Sequence, residues 1–78
     1  MIPRVSKMPE CNGEVKRLRM AAGLSQNRAA SRADLDRTTY RKAELGEPVS
    51  ELTVEKIATG FSEVSGKTVT AAQLLKTA

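Results

Sequence analysis

The sequence predicts an all-α fold, a compact domain of five short helices, and three observations carry that expectation. Apolar residues recur at spacings of three and four, as in Val15, Leu18 and Ala22, which marks one buried stripe of a helix. Ser25, Asp36, Ser50 and Thr70 each stand where a side-chain oxygen can cap the helix that follows. No strand pair, internal repeat or low-complexity tract interrupts this pattern, and 78 residues make one domain with a small core.

Residues 1–9 hold two prolines and no periodicity, so they read as a flexible N-terminal arm ahead of a domain spanning 10–78. The first helix is expected from about Glu10 to Ala22, with Gly23 ending it; Asn12-Gly13 is either its start or an interruption near its start. Ser25 caps a second helix through Ala33, whose inward side of Ala29, Ala30 and Ala33 permits close approach of a neighbour. Asp34 marks a turn, and Asp36 caps a third helix that runs through Leu45 to Gly46.

Pro48 and Ser50 prepare a fourth helix over about 51–62, with Leu52, Ile57, Ala58 and Phe61 on its apolar face and Val54 on the same broad side. The stretch Ser65-Gly66-Lys67 is a loop. Val69, Thr70, Gln73 and Leu74 then fit a hydrophobic staple with a capping box, predicting a short fifth helix over 71–76.

Composition narrows the function. A single cysteine, Cys11, makes no internal disulfide, and a chain without histidine lacks the commonest metal ligand and general base. No nucleophile is paired with a base, no carboxylate pair sits in apolar context and no glycine-rich phosphate loop appears, so neither catalysis nor a metal or cofactor is expected. No uncharged apolar run approaches the roughly 20 residues of a membrane span and no leader is evident, which predicts a cytoplasmic protein.

The net charge of +4 is lopsided: residues 1–46 carry ten Lys/Arg against five Asp/Glu, residues 47–78 three against four. The positive half suits a polyanion such as nucleic acid. With Tyr40 and Phe61 as the sole aromatics, stacking on single-stranded bases is a poor mode, and duplex binding is favoured.

The third helix concentrates this charge. At about 100° per residue, Arg37, Arg41, Leu45, Thr38 and Lys42 share one outward face, while Tyr40 and Ala43 point the other way. A helix about 10–12 Å across fits the major groove of B-DNA. Arginine and lysine can donate to guanine O6 and N7 or to phosphate, and threonine can bond a base or touch a thymine methyl.

With these residues in place, KRLRMAAGLSQNRAASRADLDRTTYRKAELG, continued by LTVEKIATGF, resembles the helix-turn-helix of the lambda-repressor-like (Cro/XRE-type) DNA-binding family. The resemblance covers roughly residues 14–61 and implies that helix two positions the domain while helix three reads DNA. It assigns DNA contact to Gln26 at the start of helix two, where the backbone N–H groups behind Ser25 can also grip a phosphate, and to Arg37, Thr38 and Lys42, with Arg41 beside them; Asp36 can accept from cytosine N4. Asp36 doubles as the cap of helix three.

It also pairs Arg19 with Glu44 as a structural ion pair, and places Tyr40 in packing with its hydroxyl reaching solvent or a phosphate. Three departures from the family pattern stand out: Ala29 and Ala43 replace larger apolar residues, and Asp34 replaces the turn glycine. Aspartate tolerates the left-handed conformation, and Tyr40 and Phe61 are positioned to refill part of the missing core volume.

The expected function is sequence-specific binding of double-stranded DNA by a transcription regulator, a bacterial or phage repressor or controller. A homodimer would place two reading helices on a near-palindromic operator, with Leu74 and Leu75 as dimer contacts unless they close the subunit's own core. Arg4 and Lys7 of the arm could add DNA contacts. The alternative is a protein-interaction module on the same scaffold, an antitoxin subunit or antiactivator with a second protein as partner.

Overall fold

The computed structural model describes residues 8–76, and its helices follow the order α1 (Glu14–Ala21), α2 (Gln26–Arg32), α3 (Arg37–Glu44), α4 (Glu51–Ser65) and α5 (Ala71–Leu74). The four capping residues act as their chemistry dictates. The side chains of Ser25, Asp36, Ser50 and Thr70 accept from the backbone N–H groups of Arg28, Thr39, Thr53 and Gln73 at 3.1, 3.2, 3.1 and 3.3 Å. Each thereby satisfies a donor that the first helical turn leaves without an intrahelical partner.

The first helix is shorter than expected because the residues before it have another task. Asn12 marks its start: its Oδ1 accepts from the Glu14 N–H at 2.8 Å, while its Nδ2 donates to the carbonyls of Gln73 and Leu75. The Asn12 N–H donates to the Leu74 carbonyl at 2.7 Å and the Lys76 N–H to the Glu10 carbonyl at 3.0 Å, so Cys11 and Leu75 face each other in an antiparallel bridge. Leu75 must be extended to make it, and α5 therefore stops at Leu74 instead of reaching Lys76.

Cys11 is consequently a buried core residue, and its thiol pKa is raised by that burial. The Val49 N–H also donates to the Pro9 carbonyl, at 2.9 Å. Arg4 and Lys7 lie outside the described residues.

The core joins Val15 of α1, Ala29 and Ala30 of α2, Tyr40 and Ala43 of α3, Val54, Ile57, Ala58 and Phe61 of α4, and Val69 and Leu74 around α5. The small residues of α2 are matched by a glycine on α4. A Cβ on Gly60 would lie 2.9 Å from the Arg32 carbonyl oxygen and 3.2 Å from Ala33 Cα, so the two backbones meet there without a side chain between them. Close approach of helices, together with Tyr40 and Phe61, thus makes up for the volume that Ala29 and Ala43 do not fill.

Two apolar expectations fail on geometry. Leu52 lies about 140° around α4 from Ile57 and is 61 % exposed, while Thr53 is buried in its stead. Ala22 is the exposed C-terminal cap of α1 and does not line its inner face. The fourth helix runs on to Ser65, where Gly66 ends it with φ 73°. Ser62 closes the following loop by accepting from the Val69 N–H at 2.8 Å.

Candidate nucleic-acid interface

The third helix has two dissimilar sides. Tyr40 and Ala43 have no exposed surface, whereas Arg37, Thr38, Arg41 and Lys42 are all exposed, as is Leu45 at its end. Among the described residues, Arg37, Arg41 and Lys42 form no ion pair. Three cations are therefore held on one helix with their charge directed at solvent.

The segments around α3 fix its presentation. Asp34 adopts φ 58°, the left-handed turn in which the sequence departs from glycine. The Leu35 N–H donates back to the Ala30 carbonyl at 2.9 Å, closing the α2–α3 corner. Lys56 braces that corner from α4: its Nζ donates to the Asp34 carbonyl at 3.4 Å and lies 3.6 Å from the Asp34 carboxylate. No spacing in the sequence signals this brace, because its partners are 22 residues apart.

Asp36 is occupied as a cap. One carboxylate oxygen accepts from the Thr39 N–H and the other from the Thr39 hydroxyl at 2.6 Å, and these bonds, the hydroxyl's first, hold its pKa below the ordinary carboxylate range. Ser25 is exposed while capping α2, and Gln26 is half-buried beside it.

Glu44 lies at the centre of a polar cluster linking three helices. Its side chain is only 4 % exposed and forms an ion pair with Arg19, through both the Nε and Nη2 atoms of the guanidinium. Arg19 also donates to the Leu24 carbonyl at 2.9 Å, and Gln26 Nε2 donates to Glu44 Oε1 at 3.1 Å. Burial alone would raise the Glu44 pKa, but the bonds from Arg19 and Gln26 and the Arg19 charge keep it below the usual value. The Gln26 link is an addition to the ion pair expected from sequence.

The placement of Tyr40 differs from expectation. Its hydroxyl reaches neither solvent nor any surface a phosphate could approach; the residue is fully buried, and among the described residues the oxygen has no hydrogen-bond partner. Burial first, and the Glu44 carboxylate next, push the phenol pKa well up.

Leu74, read from sequence either as a dimer contact or as closing the domain's own core, is fully buried in that core. Leu75 retains surface beside a shallow groove lined by Pro9, Glu51, Val54, Glu55 and Ala71.

A family model described as a helix-turn-helix domain matches residues 13–72, which contain α1 to α4 and the first two residues of α5. The chain belongs to the helix-turn-helix family, in line with the Cro/XRE-type resemblance of its sequence. No curated protein and no solved structure matches it. Among the described residues, no helix is long and apolar enough to cross a membrane.

Proposed function

We propose that the protein is a sequence-specific transcription regulator that inserts α3 into the major groove of duplex DNA. The observation that carries this reading is the exposed set of Arg37, Arg41 and Lys42, free of ion pairs among the described residues, on a helix that buries Tyr40 and Ala43 on its opposite side. A cationic face so directed costs self-repulsion and is relieved by a polyanion. Arg37, Thr38 and Lys42 read base edges, Arg41 reads a base or a phosphate, and Ser25 and Gln26 at the start of α2 contact the backbone. Asp36 serves chiefly to cap the reading helix.

One copy of α3 spans only a few base pairs, so the working form is a homodimer with its two reading helices about 34 Å apart on a near-palindromic site. With Leu74 committed to the core, the subunit contact uses Leu75 and the surface around it. The protein acts in the cytoplasm and regulates transcription by occupying its site.

Selection of bound duplexes from a random pool tests the reading and returns sequence, symmetry and spacing together. The expected outcome is enrichment of an inverted repeat whose binding weakens steeply with salt, as release of phosphate counterions requires. A pool that stays random, or the co-purification of one stoichiometric protein partner without retention on DNA, would replace this reading with the protein-interaction module.

A further inference from the structure

Buried hydroxyls are almost always hydrogen-bonded, so the isolated Tyr40 oxygen calls for an account. Tyr40 and Glu44 are one turn apart on α3, a spacing that brings their side chains together. The phenol and the Glu44 carboxylate act on each other's ionisation, as does Arg19, which locates the hydroxyl at the edge of the same cluster. Glu44 Oε1 meanwhile takes its donors from Gln26 Nε2 at 3.1 Å and, at longer range, from Arg19 Nη2 at 3.4 Å. One more donor is present than the carboxylate engages.

We infer that Tyr40 is a positioning residue for DNA binding: its hydroxyl is a reserve donor that takes over at Glu44 when a phosphate draws away the Gln26 amide. This rests on the DNA-binding reading above. In the free protein one buried donor, the phenol, is left over. When the Gln26 amide donates to phosphate, a small movement of the last turn of α3 lets the phenol donate to the carboxylate, and every group in the cluster has a partner. Binding thus removes an unsatisfied polar group instead of creating one, and it couples the grip of α2 on the backbone to the seating of α3.

The replacement of Tyr40 by phenylalanine separates this role from packing, because the ring remains and only the oxygen is lost. Free Tyr40→Phe protein should melt at the same temperature as the parent or higher, since the unsatisfied donor is gone. Its affinity for the duplex selected from the random pool should nevertheless fall, by about fivefold to tenfold. In a Gln26→Ala background the same change should have little effect, because no amide is left to be released.

A spectroscopic readout runs beside the titrations. Tyr40 is the sole tyrosine, so a carbon-13 label at its Cζ gives one resonance, which should move on addition of the duplex in the direction of a phenol donating to a carboxylate. Equal affinity of Tyr40→Phe and parent, or an equal loss with and without Gln26, would overturn the inference and leave the DNA-binding reading standing. If the parent binds no duplex, it is that reading which fails, and this one with it.

Discussion

Helices α3 and α4 pack in one core but assign their side chains in opposite ways. Of the residues of α4, Thr53, Val54, Ile57, Ala58, Gly60 and Phe61 are buried; α3 buries Tyr40 and Ala43 alone. Packing accounts for nearly every choice along the inner face of α4. It accounts for none of Arg37, Thr38, Arg41 and Lys42, which are exposed and, among the described residues, form no ion pair. The difference separates residues that hold the fold from residues that must answer to something outside it, and mutations should respect the division.

The largest effect is expected on the α4 side. Phe61→Ala removes a buried ring from a small core, and should cost about 3–5 kcal/mol of unfolding free energy in a denaturant titration. A domain this small has little stability to lose, so the variant should be largely unfolded at 37 °C. Gly60→Ala comes next: alanine is the better helix former by about 1 kcal/mol. The added methyl nevertheless has to push the α2 backbone away, and the net change should be a loss of about 1–3 kcal/mol. A stabilised Gly60→Ala variant would show that the α2–α4 contact is looser than described.

On the α3 side the signs should separate. Arg37→Ala should leave the unfolding free energy within about 0.5 kcal/mol of the parent. It should weaken binding to the selected duplex by about 1–3 kcal/mol, with preference relaxed at particular base pairs. Equal weakening on all sequences would make Arg37 a phosphate contact. A fall in stability comparable to that of the α4 variants would erase the distinction between the two helices.

Glu44 belongs to both sides, and acid should reveal it. Its folded-state pKa is depressed, so its contribution to stability is complete above the ordinary carboxylate value and is lost as pH falls through the lower folded value. With no histidine in the chain, thermal stability should hold level from neutral pH down to about pH 5 and decline below about 4.5, near the unfolded glutamate value. Glu44→Gln should be less stable than the parent at neutral pH and should approach it in acid. A parallel decline of both proteins would place the acid sensitivity at Glu14 and Asp36, whose pKa values are also lowered.

Local chemistry was legible in the sequence and long-range pairing was not, apart from the Arg19–Glu44 ion pair, which the family resemblance supplied. Each cap on Ser25, Asp36, Ser50 and Thr70 involves residues three apart, and a reader needs only the spacing. The exposed cationic face of α3 follows from helical periodicity in the same way. The bridge of Cys11 to Leu75, the Asn12 bonds to the end of α5 and the Gln26 bond to Glu44 join residues 64, 61–63 and 18 positions apart, and no pattern in composition announces them. Gly60 is the instructive case, since a glycine inside a helical stretch reads as a weakness until the helix behind it is known.

The smallest expected effect lies at the corner between α2 and α3. Asp34 holds φ 58°, a conformation that costs a non-glycine residue energy, and Asp34→Gly would remove that strain. Glycine also gives the unfolded chain more freedom, which opposes the gain, and the exchange loses the carboxylate 3.6 Å from Lys56. That carboxylate is almost wholly exposed, so its ion pair contributes little, and the Lys56 bond to the Asp34 carbonyl does not depend on the side chain. The opposing terms should nearly cancel, leaving Tm within about 4 °C of the parent and DNA affinity unchanged, since the Leu35–Ala30 bond and the Lys56 bond to the Asp34 carbonyl, which close the α2–α3 corner, do not use the carboxylate. A large loss of affinity with Tm unmoved would instead place the Asp34 carboxylate among the groups that orient the reading helix, and would move the boundary between holding and reading residues into the turn itself.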